Sequence, residues 1–189
     1  MLEIEMKVKV PDLTPIRHEL EQIGASYSEH LTEEDMYYNA PHRDFGKTDE
    51  ALRLRTTSNG TTLTYKGKKE IIHGAKVRKE YNLSIESKEI AHDILTHLSF
   101  IPVAEIKKER DYYTFEDFSI ALDDVCGLGT FVEIELICEE GEDTTDPANR
   151  IASFAERIGV TGEKIGDSYL ELVLASPPRH AASWREDPC

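Results

Sequence analysis

Charged side chains fall at alternate positions on one strand-like segment after another: Glu3, Glu5 and Lys7, then Arg53 and Arg55, Lys66, Arg78 and Glu80, Lys108 and Arg110, Asp123, and Glu133 with Glu135. Residues two apart on a strand share a face, so each group points one way. Arg outnumbers Lys in this set, and its planar fork matches phosphate oxygens. Carboxylates two apart, as in Glu3/Glu5 and Glu133/Glu135, can hold a hard divalent cation through oxygen. Seven cations beside six carboxylates is the inventory for a metal-bound polyphosphate. The plainer alternative is a solvated sheet face with cross-strand ion pairs, each contributing roughly 0.2–1 kcal/mol. For a single pair such as Arg53/Arg55 that alternative suffices; the set taken together favours a site.

The elements that must position these residues are mostly strands. Leu2, Ile4, Met6, Val8 and Val10 alternate with Glu3, Glu5, Lys7 and Lys9, the period of a strand with two unlike faces. Further strands are expected around residues 36–39, 51–57, 61–67, 77–85, 104–115, 118–125 and 131–138, which makes eight. Asn59-Gly60 and Glu116-Asp117 read as hairpin turns, so neighbouring strands should be antiparallel. Helical spacing appears over 13–24, 87–99 and 146–159, closed by Gly24 in the first case and Gly159 in the last. The expected class is α+β: a closed eight-stranded antiparallel barrel whose charged face is the interior, with the helices packed outside.

Composition narrows the function. The 189 residues suit one domain, and 22 Lys+Arg against 37 Asp+Glu give a net charge of −15. That balance disfavours nucleic acid and anionic membranes, which are bound through basic patches. No apolar stretch approaches the roughly 18 residues of a membrane helix, and Met1 leads straight into strand pattern, so a cytoplasmic protein is expected. Cys126, Cys138 and Cys189 lack metal or disulfide spacing and read as incidental thiols. The seven histidines show no metal spacing either, and no GxxxxGK[ST] phosphate loop is present. Residues 175–189, with adjacent prolines and no periodicity, are expected to be a mobile tail behind a domain spanning 1–174.

The segments EIEMK, DMYYNAP, TDEALRLR, LTYKG, VRKEYN, IKKERDYY, ALDDV, GLGTFVEIEL and GDSYLEL, in that order, resemble the CYTH superfamily of class IV adenylyl cyclases and thiamine triphosphatases. The resemblance runs from residue 2 to about 174 and is nearest the class IV cyclase branch. It implies a triphosphate tunnel. Glu3, Glu5, Glu133 and Glu135 would bind Mg²⁺ or Mn²⁺, with Asp123 and Glu80 lining the same end. Lys7, Arg53, Arg55, Lys66, Arg78, Lys108 and Arg110 would hold the triphosphate. Lys66, Tyr37 and Glu5 would be catalytic, the first two where triphosphatase members place a water-activating Tyr/Lys pair. Asp167 precedes Ser168-Tyr169 where a basic residue is more usual. The implied substrate is ATP or another inorganic or organic triphosphate. The implied reaction is cyclic AMP and pyrophosphate formation, the alternative being tripolyphosphate or thiamine/nucleoside triphosphate hydrolysis to orthophosphate. A homodimer is among the assemblies this admits.

Overall fold

The computed structural model describes residues 2–72, 75–138 and 145–176, and the side chains of Leu2, Glu3, 69–78, Cys138 and Thr145 lie outside the description. The strands are β1 (Leu2–Val10), β2 (Ser26–Asn39), β3 (Ala51–Thr57), β4 (Gly60–Ile72), β5 (Ala75–Ile85), β6 (Ile101–Phe115), β7 (Phe118–Val125), β8 (Gly129–Cys138) and β9 (Glu163–Lys164). They form one antiparallel sheet in the order β5-β4-β3-β2-β6-β7-β8-β1-β9.

The expected closed eight-stranded barrel is corrected here: there are nine described strands, and the ladder stays open between β5 and β9. The reason lies at the free edge of β1. Closure would need that edge for β5, but β9 takes it, pairing Val8 with Lys164 and Lys9 with Glu163, and Ile165 N–H adds a bond to Lys7 O at 2.8 Å. β5 curls back to lie near β1 without joining its ladder.

Gly162 permits this docking. A Cβ there would stand 2.1 Å from Lys9 O, so any side chain must push the β9 segment off β1. Gly162→Ala should therefore destabilise the fold by about 1–3 kcal/mol, as overpacking does. Urea unfolding with an unchanged midpoint would show that β9 docking contributes nothing.

The convex face of the sheet carries the apolar core. Val8, Val10, Ile120, Leu122, Val132, Ile134 and Leu136 pack against α1 (Thr14–Gln22) through Ile16 and Leu20 and against α4 (Thr145–Arg157) through Ile151, Phe154 and Ala155. Phe154 stacks on Phe118, with centroids 4.4 Å apart. Tyr38, Leu52 and Leu54 pack under α3 (Lys88–His97), whose N-terminus Ser87 caps by accepting from Ile90 N–H. A short helix, α2 (Phe45–Thr48), bridges β2 and β3, capped by Asp44.

A second correction concerns α5 (Tyr169–Ala175), which opens with a reciprocal Ser168/Glu171 cap. It does not pack outside with the other helices. Tyr169, Leu170, Leu172 and Val173 cover Tyr37, Ala51, Ile106, Val125 and Phe131, the apolar end of the concave face. Cys126, expected as an incidental thiol, is disulfide-bonded. No described helix is long and apolar enough to cross a membrane. Most of the expected tail, 177–189, lies outside the described residues.

Candidate functional site

Register places the charges. Lys7 of β1 lies opposite Glu133 of β8, and Arg110 of β6 opposite Asp123 of β7. Glu33 of β2 faces Lys108 of β6, while Asp35 faces Arg55 of β3 and Tyr37 faces Arg53. Lys66 of β4 faces Glu80 of β5. Strand alternation turns all of them to the concave side, opposite the core.

Seven of these groups are almost fully buried, with Asp123 at 0%, Glu33 at 1% and Lys108 at 3% exposure. Buried charges survive only when paired, and pairing is extensive. Arg110 donates through Nε and Nη2 to the two carboxylate oxygens of Asp123, each at 2.5 Å, and through Nη2 to Glu133. Tyr169 OH donates to Asp123 Oδ2 at 2.6 Å. Lys7 Nζ is 3.2 Å from Glu133 Oε1 and 3.5 Å from Glu5 Oε1, and sits 4.3 Å from the centroid of the Tyr169 ring. Arg55 binds Asp35 with two bonds of 2.6 and 2.7 Å. Glu33 Oε2 lies 2.7 Å from Arg55 Nη1 and 2.8 Å from Lys108 Nζ, both outside hydrogen-bonding angles, so these contacts are ionic. Tyr112 OH donates to its other oxygen at 2.7 Å.

Burial pushes the Glu33 carboxyl up, but Lys108, Arg55 and Arg110 overcome it and hold the group at about 2. Glu133 is likewise raised by burial and brought down to about 2 by Arg110, Lys7 and Lys108. The crowding of cations has the opposite effect on Lys108, lowered by burial and by Arg110 and Arg55. A carboxylate whose folded pKa is depressed contributes stability above its unfolded pKa, and that contribution is lost as pH falls through the folded value. The ordinary value for both groups is 4.5. Stability should therefore hold from neutral pH to about 5 and fall from there toward pH 2, by a few kcal/mol in all. A denaturation midpoint unchanged between pH 6 and 3 would contradict these pairings.

Lys7, Arg53, Arg55, Lys108, Arg110, Asp123 and Glu133 thus share one connected cluster. Arg53 joins it more loosely, 3.8 Å from Asp35 Oδ2, and its buried Nε has no hydrogen-bond partner. Lys66 and Glu80 stand apart from the cluster, paired with each other at 2.5 Å. Tyr37 is buried beside Arg53, and burial, reinforced by Asp35, raises its phenol. The side chains of Glu3 and Arg78 lie outside the described residues. Glu33, Asp35, Tyr112 and Tyr169 are the participants that charge alternation missed.

For a divalent cation, the chemistry of the donors decides. Asp123 and Glu133 are engaged by Arg110 and Lys7, and Glu80 by Lys66. Among the described residues no three ligating groups converge. Glu5 and Glu135 are direct cross-strand partners on the concave face, with Glu5 also 3.5 Å from Lys7 Nζ. Two carboxylates completed by water and substrate phosphates suit Mg²⁺, which seldom occupies an all-protein cage. The residues present fit such an ion, with Glu5 and Glu135 as its holders.

Comparison with known proteins follows the same lines. Residues 1–169 match the CYTH domain. A protein of Methanocaldococcus jannaschii named as a candidate adenylate cyclase is 35% identical over 173 residues, 91% of this chain and 98% of that protein. A solved structure from Pyrococcus horikoshii has a TM-score of 0.79 at 33% identity, covering 91% of this chain and 98% of that one. A Hippeastrum structure, described as a candidate adenylyl cyclase with a dominant triphosphatase activity, has a TM-score of 0.65 at 18% identity, covering 90% and 94%.

Proposed function

Because the chain belongs to the CYTH domain family, we propose that it is a divalent-metal-dependent enzyme converting ATP to cyclic AMP and pyrophosphate on its concave face. The observation that carries this is the convergence of buried Lys7, Lys108 and Arg110 and half-buried Arg53 and Arg55 on one face beside the Glu5/Glu135 pair. Five cations on rigid strands can clamp a triphosphate at several oxygens at once, and held phosphates are what an in-line displacement requires. The 35% identical relative, named for cyclase activity, favours that chemistry.

Arg55 and Arg110, their Nε/Nη2 edges held by Asp35 and Asp123, offer the remaining guanidinium charge to phosphate oxygens, with Lys7 and Lys108 as point charges between them. Lys66 extends the same face on β4. A cation held by Glu5 and Glu135 would polarise phosphoryl oxygen and lower the pKa of the attacking hydroxyl. In this reading the ribose 3′-hydroxyl attacks the α-phosphorus and pyrophosphate departs along the cationic wall. Tyr169 and α5 close the apolar end, limiting water there.

The second reading is hydrolysis of a triphosphate to orthophosphate. It draws on the activity described for the Hippeastrum protein. Water activation by Tyr37 is poorly supported, because its raised phenol stays protonated and is a weak base. The test is incubation with ATP and, separately, tripolyphosphate with Mg²⁺ or Mn²⁺, followed by chromatography that resolves cyclic AMP, pyrophosphate and orthophosphate. Cyclic AMP from ATP, abolished by EDTA, is expected. Orthophosphate from tripolyphosphate with no cyclic AMP would promote the second reading, and full turnover in EDTA would remove the metal from both.

A further inference from the structure

Glu33 carries the sign of the proposed ligand and yet sits within the cationic wall. It is 1% exposed, on the strand between those that carry Arg55 and Lys108. Its Oε2 lies 2.7 Å from Arg55 Nη1 and 2.8 Å from Lys108 Nζ, where an oxygen of a bridging phosphate would stand. Arg55 does not depend on Glu33 for its orientation, since Asp35 already grips its Nε and Nη2 edge with two hydrogen bonds. Glu33 itself is fixed from the other side by Tyr112 OH at 2.7 Å. These contacts hold the carboxylate where an arriving phosphate oxygen would need to stand.

We propose that Glu33 is a specificity-determining residue: an internal anion that competes with substrate phosphate for Arg55 and Lys108 and so weakens the wall's hold on densely charged phosphate chains. This rests on the triphosphate reading of the concave face. A residue that merely positioned the cations would have the opposite effect on removal, because Arg55 and Lys108 would lose alignment and bind phosphate less well. The sign of the change therefore separates the two roles.

The test is calorimetric titration of wild-type protein and Glu33→Gln with inorganic tripolyphosphate, in EDTA so that the metal plays no part. Glutamine keeps the acceptor for Tyr112 and removes the charge, its amide nitrogen replacing the oxygen that faces Arg55 and Lys108. The variant should bind about tenfold more tightly or better, with a steeper loss of affinity on adding salt, as expected when one like charge leaves a buried anion site. Thermal unfolding supplies a second readout: tripolyphosphate should raise the melting temperature of the variant more than that of the wild type. If the variant folds only with tripolyphosphate present, the ligand is replacing the missing anion, which supports the proposal. Weaker or equal affinity overturns it, as does a variant that stays unfolded with the ligand. Binding to wild type with no gain in the variant defeats this inference alone, whereas binding to neither protein defeats the triphosphate reading as well.

Discussion

Replacing Asp123 with alanine is expected to cost about 3–5 kcal/mol, the range for breaking a buried ion pair by removing one partner. Asp123 is fully buried and accepts two bonds from Arg110 and one from Tyr169. Its loss leaves Glu133 as the remaining carboxylate in hydrogen-bond contact with the Arg110 guanidinium among the described residues, and leaves the Tyr169 hydroxyl without its acceptor. Asp123→Asn should cost less, because an amide oxygen can still accept while the charge is lost. Urea unfolding of the two variants reads this directly, and a loss under about 1 kcal/mol for Asp123→Ala would show that the cluster relaxes around the gap.

The second large effect is on activity. Arg55→Lys keeps the charge and discards the fork, so Asp35 loses a two-bond partner and the Nη1 group that faces the phosphate position is no longer held in place. An approximately 100-fold fall in kcat/KM is expected, equivalent to about 2.7 kcal/mol of transition-state stabilisation. If lysine served as well, kcat/KM would stay within a few-fold of wild type, and Arg55 would be acting only as a point charge. The same comparison at Lys66, exchanged for alanine, should impair either proposed reaction, because it stands on the same face beside Ala51.

The cationic half of the site was legible because it obeys a simple rule. Arg53/Arg55 and Lys108/Arg110 sit two apart in segments whose intervening residues, Leu52 and Leu54 around Arg53, are core. Glu33 and Asp35 follow the same alternation but were hidden. Their strand reads SYSEHLTEEDMYYN, and its first half carries polar residues on both faces, so no apolar period marks it as a strand at all. The expected strand began at Met36, where Met36 and Tyr38 turn apolar surface toward α3, ten residues after the real start at Ser26.

The sheet closure failed for a different reason. Alternation reports which face a residue occupies and is silent on which edge pairs with which. The strand that decides the matter, β9, is two residues long and owes its place to the absence of a side chain at Gly162, a signal too small for any periodicity. The inward position of α5 was hidden too: seven residues opening with Tyr-Leu-Glu-Leu look the same whether they cover a convex or a concave surface.

The concave face also bears on how a substrate arrives. Its described residues carry six cations, Lys7, Arg53, Arg55, Lys66, Lys108 and Arg110, against the seven carboxylates Glu5, Glu33, Asp35, Glu80, Asp123, Glu133 and Glu135. The interior is thus nearly neutral, and almost all of the net charge of −15 belongs to the rest of the chain. A polyanion diffusing toward the protein first meets repulsion, and meets attraction only within contact range of the wall. Enzymes that gather anions with a positive exterior capture them more slowly as salt screens the field. Here the long-range part has the other sign, so moderate ionic strength should speed encounter even while it loosens the bound complex.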